Sequence, residues 1–271
     1  MHDRISVDSI AFMRDSLDTQ AGYWRELGAG RLTLLGAHIA MAGTDAVAAV
    51  LADGGYRLES IVHPFLTQQS LDRDPATWEA PRASMNAEID AAAALGARSI
   101  YMVTGGHGDM SWEQAAEVFR QAIAPCVAKA RDAGVELLIE NAPPGYADIH
   151  IAHSLRDTVQ LAEFAEVGVC IDLPGCWTEA GLRETFVRAM PRCHLVQVSD
   201  YVYGDRCVPA RAVPGDGDMP LRRLFEWLLE AGYTGAFDME LIGPRIDEEG
   251  GFAATRRSAL YMDKLLTQIG A

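Results

Sequence analysis

The sequence predicts a single (β/α)8 barrel, on three observations. Its 271 residues match the usual length of such a barrel, about 250 residues. Short β-branched or apolar runs alternate with Ala- and Leu-rich amphipathic stretches down the whole chain, the pattern of βα units around a parallel sheet. Several of the helical stretches end in glycine just before the next apolar run, as at Leu95-Gly96, Ala133-Gly134 and Ala231-Gly232. A glycine there supplies the left-handed cap that turns the chain back toward a strand.

Taken in order, the strands are expected at Ile5–Ala11, Arg31–His38, Arg57–His63, Ser99–Thr104, Glu136–Glu140, Gly168–Asp172, His194–Asp200 and Gly235–Glu240. Thr44–Ala52 reads as a helix before the third strand and Ala83–Leu95 before the fourth. Trp112–Ala133 precedes the fifth, Ser154–Ala165 the sixth and Leu221–Ala231 the eighth, and Ala253–Ile269 follows it. No linker, low-complexity tract or change of composition divides the chain, so residues 1–271 read as one domain. A doubly wound open sheet is the rival architecture, but neither GxGxxG nor GxxxxGK[ST] follows an early strand. Gly105-Gly106-His107-Gly108 alone is a weak phosphate signal.

Apolar residues at 49% and charged residues at 23% belong to a globular enzyme and not to a disordered or fibrous chain. No apolar run approaches the roughly 20 residues of a membrane span. The start, MHDRISVDSI, lacks the layout of a signal peptide, and a cytoplasmic location is expected. With 23 basic against 38 acidic residues the formal charge is −15, which repels phosphate backbones and anionic lipid, so neither nucleic acid nor membrane is an expected partner. The five cysteines, Cys126, Cys170, Cys176, Cys193 and Cys207, form no CxxC and read as reduced thiols. Lys129 and Lys264 are the only lysines, both in helical stretches, which disfavours a Schiff-base mechanism.

In a parallel barrel the carboxyl ends of the strands converge on one site, so a polar residue closing an apolar strand is a functional suspect. Leu137-Leu138-Ile139 runs into Glu140, Val169-Cys170-Ile171 into Asp172, and Phe237-Asp238-Met239 into Glu240. The seventh strand carries Gln197 and Asp200. Three carboxylates crowded at one mouth repel one another unless a cation sits between them. The alternative is that these acids cap helices and are solvated. The donor set is all oxygen, which favours a hard ion such as Mg²⁺ or Mn²⁺. His194, an odd number of residues from Gln197, is expected on the opposite face, toward the helices.

Ile139-Glu140-Asn141, Cys170-Ile171-Asp172, Gln197-Val198-Ser199-Asp200, Gly215-Asp216-Gly217-Asp218 and Gly232-Tyr233-Thr234-Gly235-Ala236-Phe237-Asp238-Met239-Glu240 carry a specific likeness. With them the chain resembles the sugar phosphate isomerase/epimerase superfamily, the xylose-isomerase-like barrels. That resemblance implies one divalent ion held by Glu140, Asp172, Gln197 and Glu240. Many members have histidine where this chain has Gln197, and glutamine there resembles hydroxypyruvate isomerases and some 3-dehydroshikimate dehydratases. The sugar epimerases carry a histidine where this chain has Gly175.

Around the mouth, His63 closes the third strand and His107 follows the fourth, both placed to bind a substrate hydroxyl or carbonyl. Arg206 or Arg211, in the loop after the seventh strand, suits a substrate carboxylate or phosphate, the alternative being an exposed pair with Asp205 or Asp216. His2, His150 and His153 read as surface residues. The expected activity is isomerisation or epimerisation of a small polyhydroxy carbonyl substrate through an enediolate, with Glu140 and Glu240 as the base and acid. A dehydratase of the 3-dehydroshikimate or inosose type shares the first step and is the alternative. A homo-oligomer is compatible with the sequence.

Overall fold

The structure is a computed structural model and describes residues 1–66 and 69–271. The apolar runs form β1 (Ile5–Asp8), β2 (Arg31–Leu35), β3 (Arg57–Val62), β4 (Ser99–Met102), β5 (Glu136–Glu140), β6 (Gly168–Asp172), β7 (Cys193–Val198) and β8 (Phe237–Met239). Each strand pairs in parallel with the next and β8 pairs with β1, which closes the barrel.

Helices wrap the outside. After β1 comes α1 (Leu17–Leu27), after β2 come α2 (Gly36–Ala42) and α3 (Thr44–Gly54), and α4 (Glu79–Leu95) precedes β4. Then α5 (Trp112–Ala133), α6 (Leu155–Ala165), and the pair α7 (Leu173–Cys176) and α8 (Leu182–Ala189) lead into β5, β6 and β7. Finally α9 (Leu221–Glu230) precedes β8, and α10 (Pro244–Glu249) and α11 (Gly251–Ile269) follow it. Among the described residues no helix is long and apolar enough to cross a membrane.

Local chemistry sets these boundaries. Ser111 opens α5 with a capping box, its hydroxyl accepting from Gln114 N–H while the Gln114 side chain accepts from Ser111 N–H. Gly134 closes the same helix at φ 71°, a left-handed position that a side chain would strain. The second strand, expected to reach His38, stops at Leu35 because Gly36–Ala42 winds into α2. The first, expected to reach Ala11, stops at Asp8, whose carboxylate accepts from Ile10 N–H at 2.8 Å and starts a 3-10 turn. The seventh ends at Val198, and Asp200 instead pairs antiparallel with Ala212.

Strand alternation divides the residues into two sets. Val7, Ile100, Ile139, Ile171, Val196 and Phe237 face the helices and belong to one continuous apolar core. The other faces point into the barrel, where the only apolar cluster among the described residues is Tyr101, Leu138, Cys170 and Leu195. The rest of the interior is polar: Ser60 and Ser99 hydroxyls meet at 3.0 Å, and Glu59 pairs with Arg31 and, at 3.5 Å, with Arg98. A register shift between Val169 and Cys170 keeps Cys170 beside Leu195 and Asp172 beside Gln197, and leaves His194 unpaired. The bulge breaks the simple alternation at His194, whose ring lies 4.0 Å from Glu136 and beside Gly168, both at strand starts and away from the triad.

Candidate metal centre

Three of the expected ligands meet at the carboxyl end of the barrel. Glu140, Asp172 and Glu240 are buried, and each offers an oxygen within 4.8 Å of the others. The register that places Glu140 opposite Cys170, and Asp172 opposite Gln197, brings the strand ends level. Asn141 locks two of them together, donating to Asp172 C=O at 2.8 Å and accepting from Asp172 N–H at 2.9 Å.

Burial pushes the Glu140 carboxyl well above the usual range, and Glu240 and Asp172 push it further. Glu240 is pushed up to about 7, chiefly by burial, with Arg211 acting against the shift. Asp172 is raised by burial, again against Arg211. Burial opposes the Arg211 charge, but Asp172 and Glu240 more than compensate and its pKa rises.

Gln197 is present but turned. Its amide nitrogen donates to Glu240 Oε1 at 3.2 Å, and its oxygen accepts from Cys170 Sγ at 3.2 Å. The expected ligation through the oxygen therefore requires the opposite amide orientation, a choice that hydrogen bonding alone decides.

Arg211 is not an exposed pair with Asp205 or Asp216 but is buried against the triad. Nη1 and Nη2 donate to the two oxygens of Asp172 at 3.0 and 2.9 Å, and Nη2 also donates to Glu240 Oε2 at 2.8 Å. Its supposed partners are otherwise engaged, Asp205 with Arg245 and Asp216 with Arg257. Three carboxyl groups crowded within 4.8 Å of one another form an all-oxygen acidic site, which suits a hard divalent ion in charge as well as in donor type.

The other expected binding residues stand apart from this cluster. His63 turns to α4, with Nδ1 3.2 Å from Glu88 and Nε2 3.0 Å from Ser84 Oγ, because those groups satisfy both ring nitrogens. His107 is exposed: the glycine before it is pressed onto the Asp148 backbone, 2.6 Å from where a Cβ would stand, which leaves the imidazole at the surface. Arg206 is exposed on the same loop as Arg211, five residues earlier.

Sequence reasoning missed four residues here. His150, expected at the surface, is fully buried. Its Nδ1 accepts from Thr104 N–H at 3.1 Å, so Nε2 carries the proton and donates to Glu140 C=O at 2.7 Å. Burial lowers its pKa to about 4. Asp8 and Asp238 lie beneath the triad inside the barrel. Burial first, then Asp238 and Glu240, holds Asp8 well above the carboxylate range. Neither oxygen of Asp238 meets a donor at hydrogen-bonding geometry, although Ser6, Thr33 and Asp8 are close enough to favour its charge. Tyr146, half-buried, lies in the field of Arg211 and all three carboxylates, and burial pushes its phenol up to about 12. Asp8 closes an apolar strand and was open to the same rule that found Glu140; the other three had no local signal.

The loop after β7 is hung on Asp200. Its Oδ1 accepts from Tyr201 and Met219 N–H at 2.9 and 3.0 Å, and its Oδ2 from Gly215 and Gly217 N–H at 2.9 and 3.2 Å. Trp177 packs against Tyr201 and Tyr203, with ring centres 6.3 and 5.9 Å away. A cavity of about 550 Å³ runs beside the mouth, between residues 10–15, Cys207–Pro209 and the segment that follows Glu240.

A family model described as xylose isomerase-like TIM barrel matches residues 9–265. No curated protein matches by sequence. Among solved structures, an IolI protein with a bound zinc atom superposes with a TM-score of 0.84 at 12% identity, over 98% of this chain and 99% of that one. D-psicose 3-epimerase from Clostridium cellulolyticum H10, solved with D-tagatose, gives 0.80 at 14% identity, over 98% and 99%. A probable 3-DHS dehydratase from Bacillus anthracis gives 0.74 at 15% identity, over 95% and 98%. At these identities the likeness is one of fold.

Proposed function

Because the chain belongs to the xylose isomerase-like TIM barrel family, we propose that it is a divalent-metal-dependent isomerase or epimerase of a small polyhydroxy carbonyl compound. The observation that carries this reading is the buried triad of Glu140, Asp172 and Glu240, with oxygens within 4.8 Å of one another. Mg²⁺ or Mn²⁺ suits the donor set, Gln197 joining it with its amide reversed. When bound, the ion supplies Lewis acidity to a carbonyl and its neighbouring hydroxyl.

The chain's own groups handle the proton. Glu240, which a bound ion would keep ionised, is suited to take a proton from the carbon beside the carbonyl with the oxygen not used as a ligand. Glu140 serves the opposite step from its own strand. Asp172 is a ligand only. Arg211 faces the negative charge that develops on the substrate oxygens. His150 fixes the backbone of Glu140 and so the direction of its side chain.

Exchange of substrate hydrogen with deuterated water, read by mass spectrometry in the presence of Mn²⁺, tests the reading. D-psicose, D-tagatose and 3-dehydroshikimate form the first panel, after the compounds named for similar structures. Exchange that persists after exhaustive chelation contradicts it.

A dehydratase is the second reading, and Gly175 favours it. A Cβ there would stand 2.7 Å from Asn141 Nδ2 and 2.9 Å from Asp172 Oδ2, so the position has no room for the histidine that the sugar epimerases carry. In that reaction the same proton leaves and the β-hydroxyl departs as water, leaving an alkene.

A further inference from the structure

Arg211 makes three charge-assisted hydrogen bonds to two members of the triad, at 3.0 and 2.9 Å on Asp172 and 2.8 Å on Glu240. These are oxygens that a divalent ion would use. An ion of the Mg²⁺ class bonds oxygen at roughly 2.1 Å, and on these atoms it would lie within a few ångströms of the guanidinium. Two positive centres that close, in a buried and weakly screened place, repel strongly. Resting on the metal reading above, we propose that Arg211 is a built-in competitor for the ion: guanidinium and metal exclude one another on Asp172 and Glu240, and the arriving ion sets Arg211 free to face the substrate.

Charge favours exchange over permanent replacement. One guanidinium cannot offset three carboxylates whose oxygens lie within 4.8 Å of one another, whereas a doubly charged ion seated among all three offsets more of that charge.

The backbone restricts how the exchange happens. Ala212 is tied to Asp200 by two hydrogen bonds of 2.8 Å, and Asp200 also holds four amides of the same loop. On the other side, Gly243 packs against the Pro209 carbonyl so closely that a Cβ would stand 2.8 Å from it. The main chain at 209–212 is therefore clamped, and the movement belongs to the Arg211 side chain, whose several rotatable bonds allow the guanidinium to withdraw with no loop displacement.

Calorimetric titration of chelator-treated protein with Mn²⁺ alone is the test. Arg211→Met is expected to bind Mn²⁺ at least about tenfold tighter than wild type, and Arg211→Lys to fall between, because the like charge is removed or loosened. Should Arg211→Met fail to fold, wild-type protein with ¹⁵N-arginine decides. The Arg211 side-chain signal, assigned by its absence in Arg211→Lys, should broaden or shift when Mg²⁺ is added. Equal or weaker Mn²⁺ binding by Arg211→Met, or an Arg211 signal unmoved at saturating Mg²⁺, overturns the proposal while the metal reading stands. If neither wild type nor Arg211→Met binds Mn²⁺, the metal reading fails and the competition falls with it.

Discussion

Both oxygens of Asp172 are held by the two terminal nitrogens of Arg211, at 3.0 and 2.9 Å, with both residues buried. Removing one member of a buried pair leaves the other charge uncompensated, which commonly costs about 3–5 kcal/mol. Arg211 keeps Glu240, so Asp172→Asn is expected near the lower end of that range. Urea unfolding in the presence of chelator measures it, and a loss within error of zero would show the pair to be of no structural weight.

Glu140→Gln and Glu240→Gln retain an oxygen donor of the same reach and lose basicity. Each is expected to keep much of its Mn²⁺ affinity while solvent exchange at the substrate carbon falls at least roughly a hundredfold, the usual share of a positioned acid or base. Calorimetry and deuterium incorporation are read on the same preparations. Near-normal exchange in both variants moves the proton work elsewhere, with Tyr146 next in line.

The neutral His150 gives the fold a pH dependence of defined sign. Its imidazole titrates near 6.5 in the unfolded chain and near 4 in the folded one. Between those values the unfolded chain binds a proton that the folded chain refuses. The His150 contribution is therefore complete above 6.5 and is lost as pH falls toward 4, by up to roughly 3 kcal/mol. The raised carboxyls Glu140 and Glu240 act in the opposite direction, so the quantity to plot is wild type minus His150→Gln from urea melts. A flat difference across that window contradicts the assignment.

Asp200→Asn replaces a charged acceptor of four amides with a neutral one. Hydrogen bonds to charged groups contribute about 1.5–3 kcal/mol each in favourable cases, and the amide retains one oxygen, so a net loss of about 2–4 kcal/mol is expected. Hydrogen exchange should rise at residues 201–219 ahead of the barrel strands. Uniform loss of protection would mean that Asp200 supports the whole fold and not this loop.

Gly175→Ala brings a methyl group against Asn141 and Asp172 and is expected to cost about 1–3 kcal/mol. Mn²⁺ affinity should fall with it, since Asp172 is the group displaced. An alanine variant of unchanged stability and affinity would restore the room for the histidine of the epimerases.

What the sequence made legible was what is local to a strand. Leu138-Ile139-Glu140 states in three residues which side chain faces helix, which faces barrel and where the strand ends. Asp8 obeyed the same rule, but reading its strand on to Ala11 hid the end position. Arg211 reaches Asp172 only because Asp200 and Ala212 pair twelve residues apart across a loop without periodicity, and no pattern within the loop announces that. His150 is buried because the segment after β5 folds back, with Ala142 N–H bonded to Ala152 C=O and Gly105 N–H to Ile149 C=O. Histidine is as common in exposed loops as in such folds, so its residue type carried no signal. His63 was placed at the right strand end, but its ring direction was set by Ser84 and Glu88 on a helix distant in sequence.

The eight strands act as a wall between two solvents of unlike character, hydrocarbon outside and, within, a column of hydroxyls and carboxyls around one small apolar cluster. Alternate residues of one strand are therefore answerable to different demands. Exchanging Ile139 for valine trims the outer layer and leaves the donor geometry intact, whereas the same modest change at Leu138 acts one step below Glu140. A single-residue deletion inside β5 would do more than shorten it. It would turn Ile139 toward the barrel and Glu140 into the oil, because each successive side chain changes sides. For this chain, point substitutions on the helix-facing set are the route to altered stability, barrel-facing substitutions the route to altered chemistry, and insertions or deletions belong outside the wall altogether, in the loops.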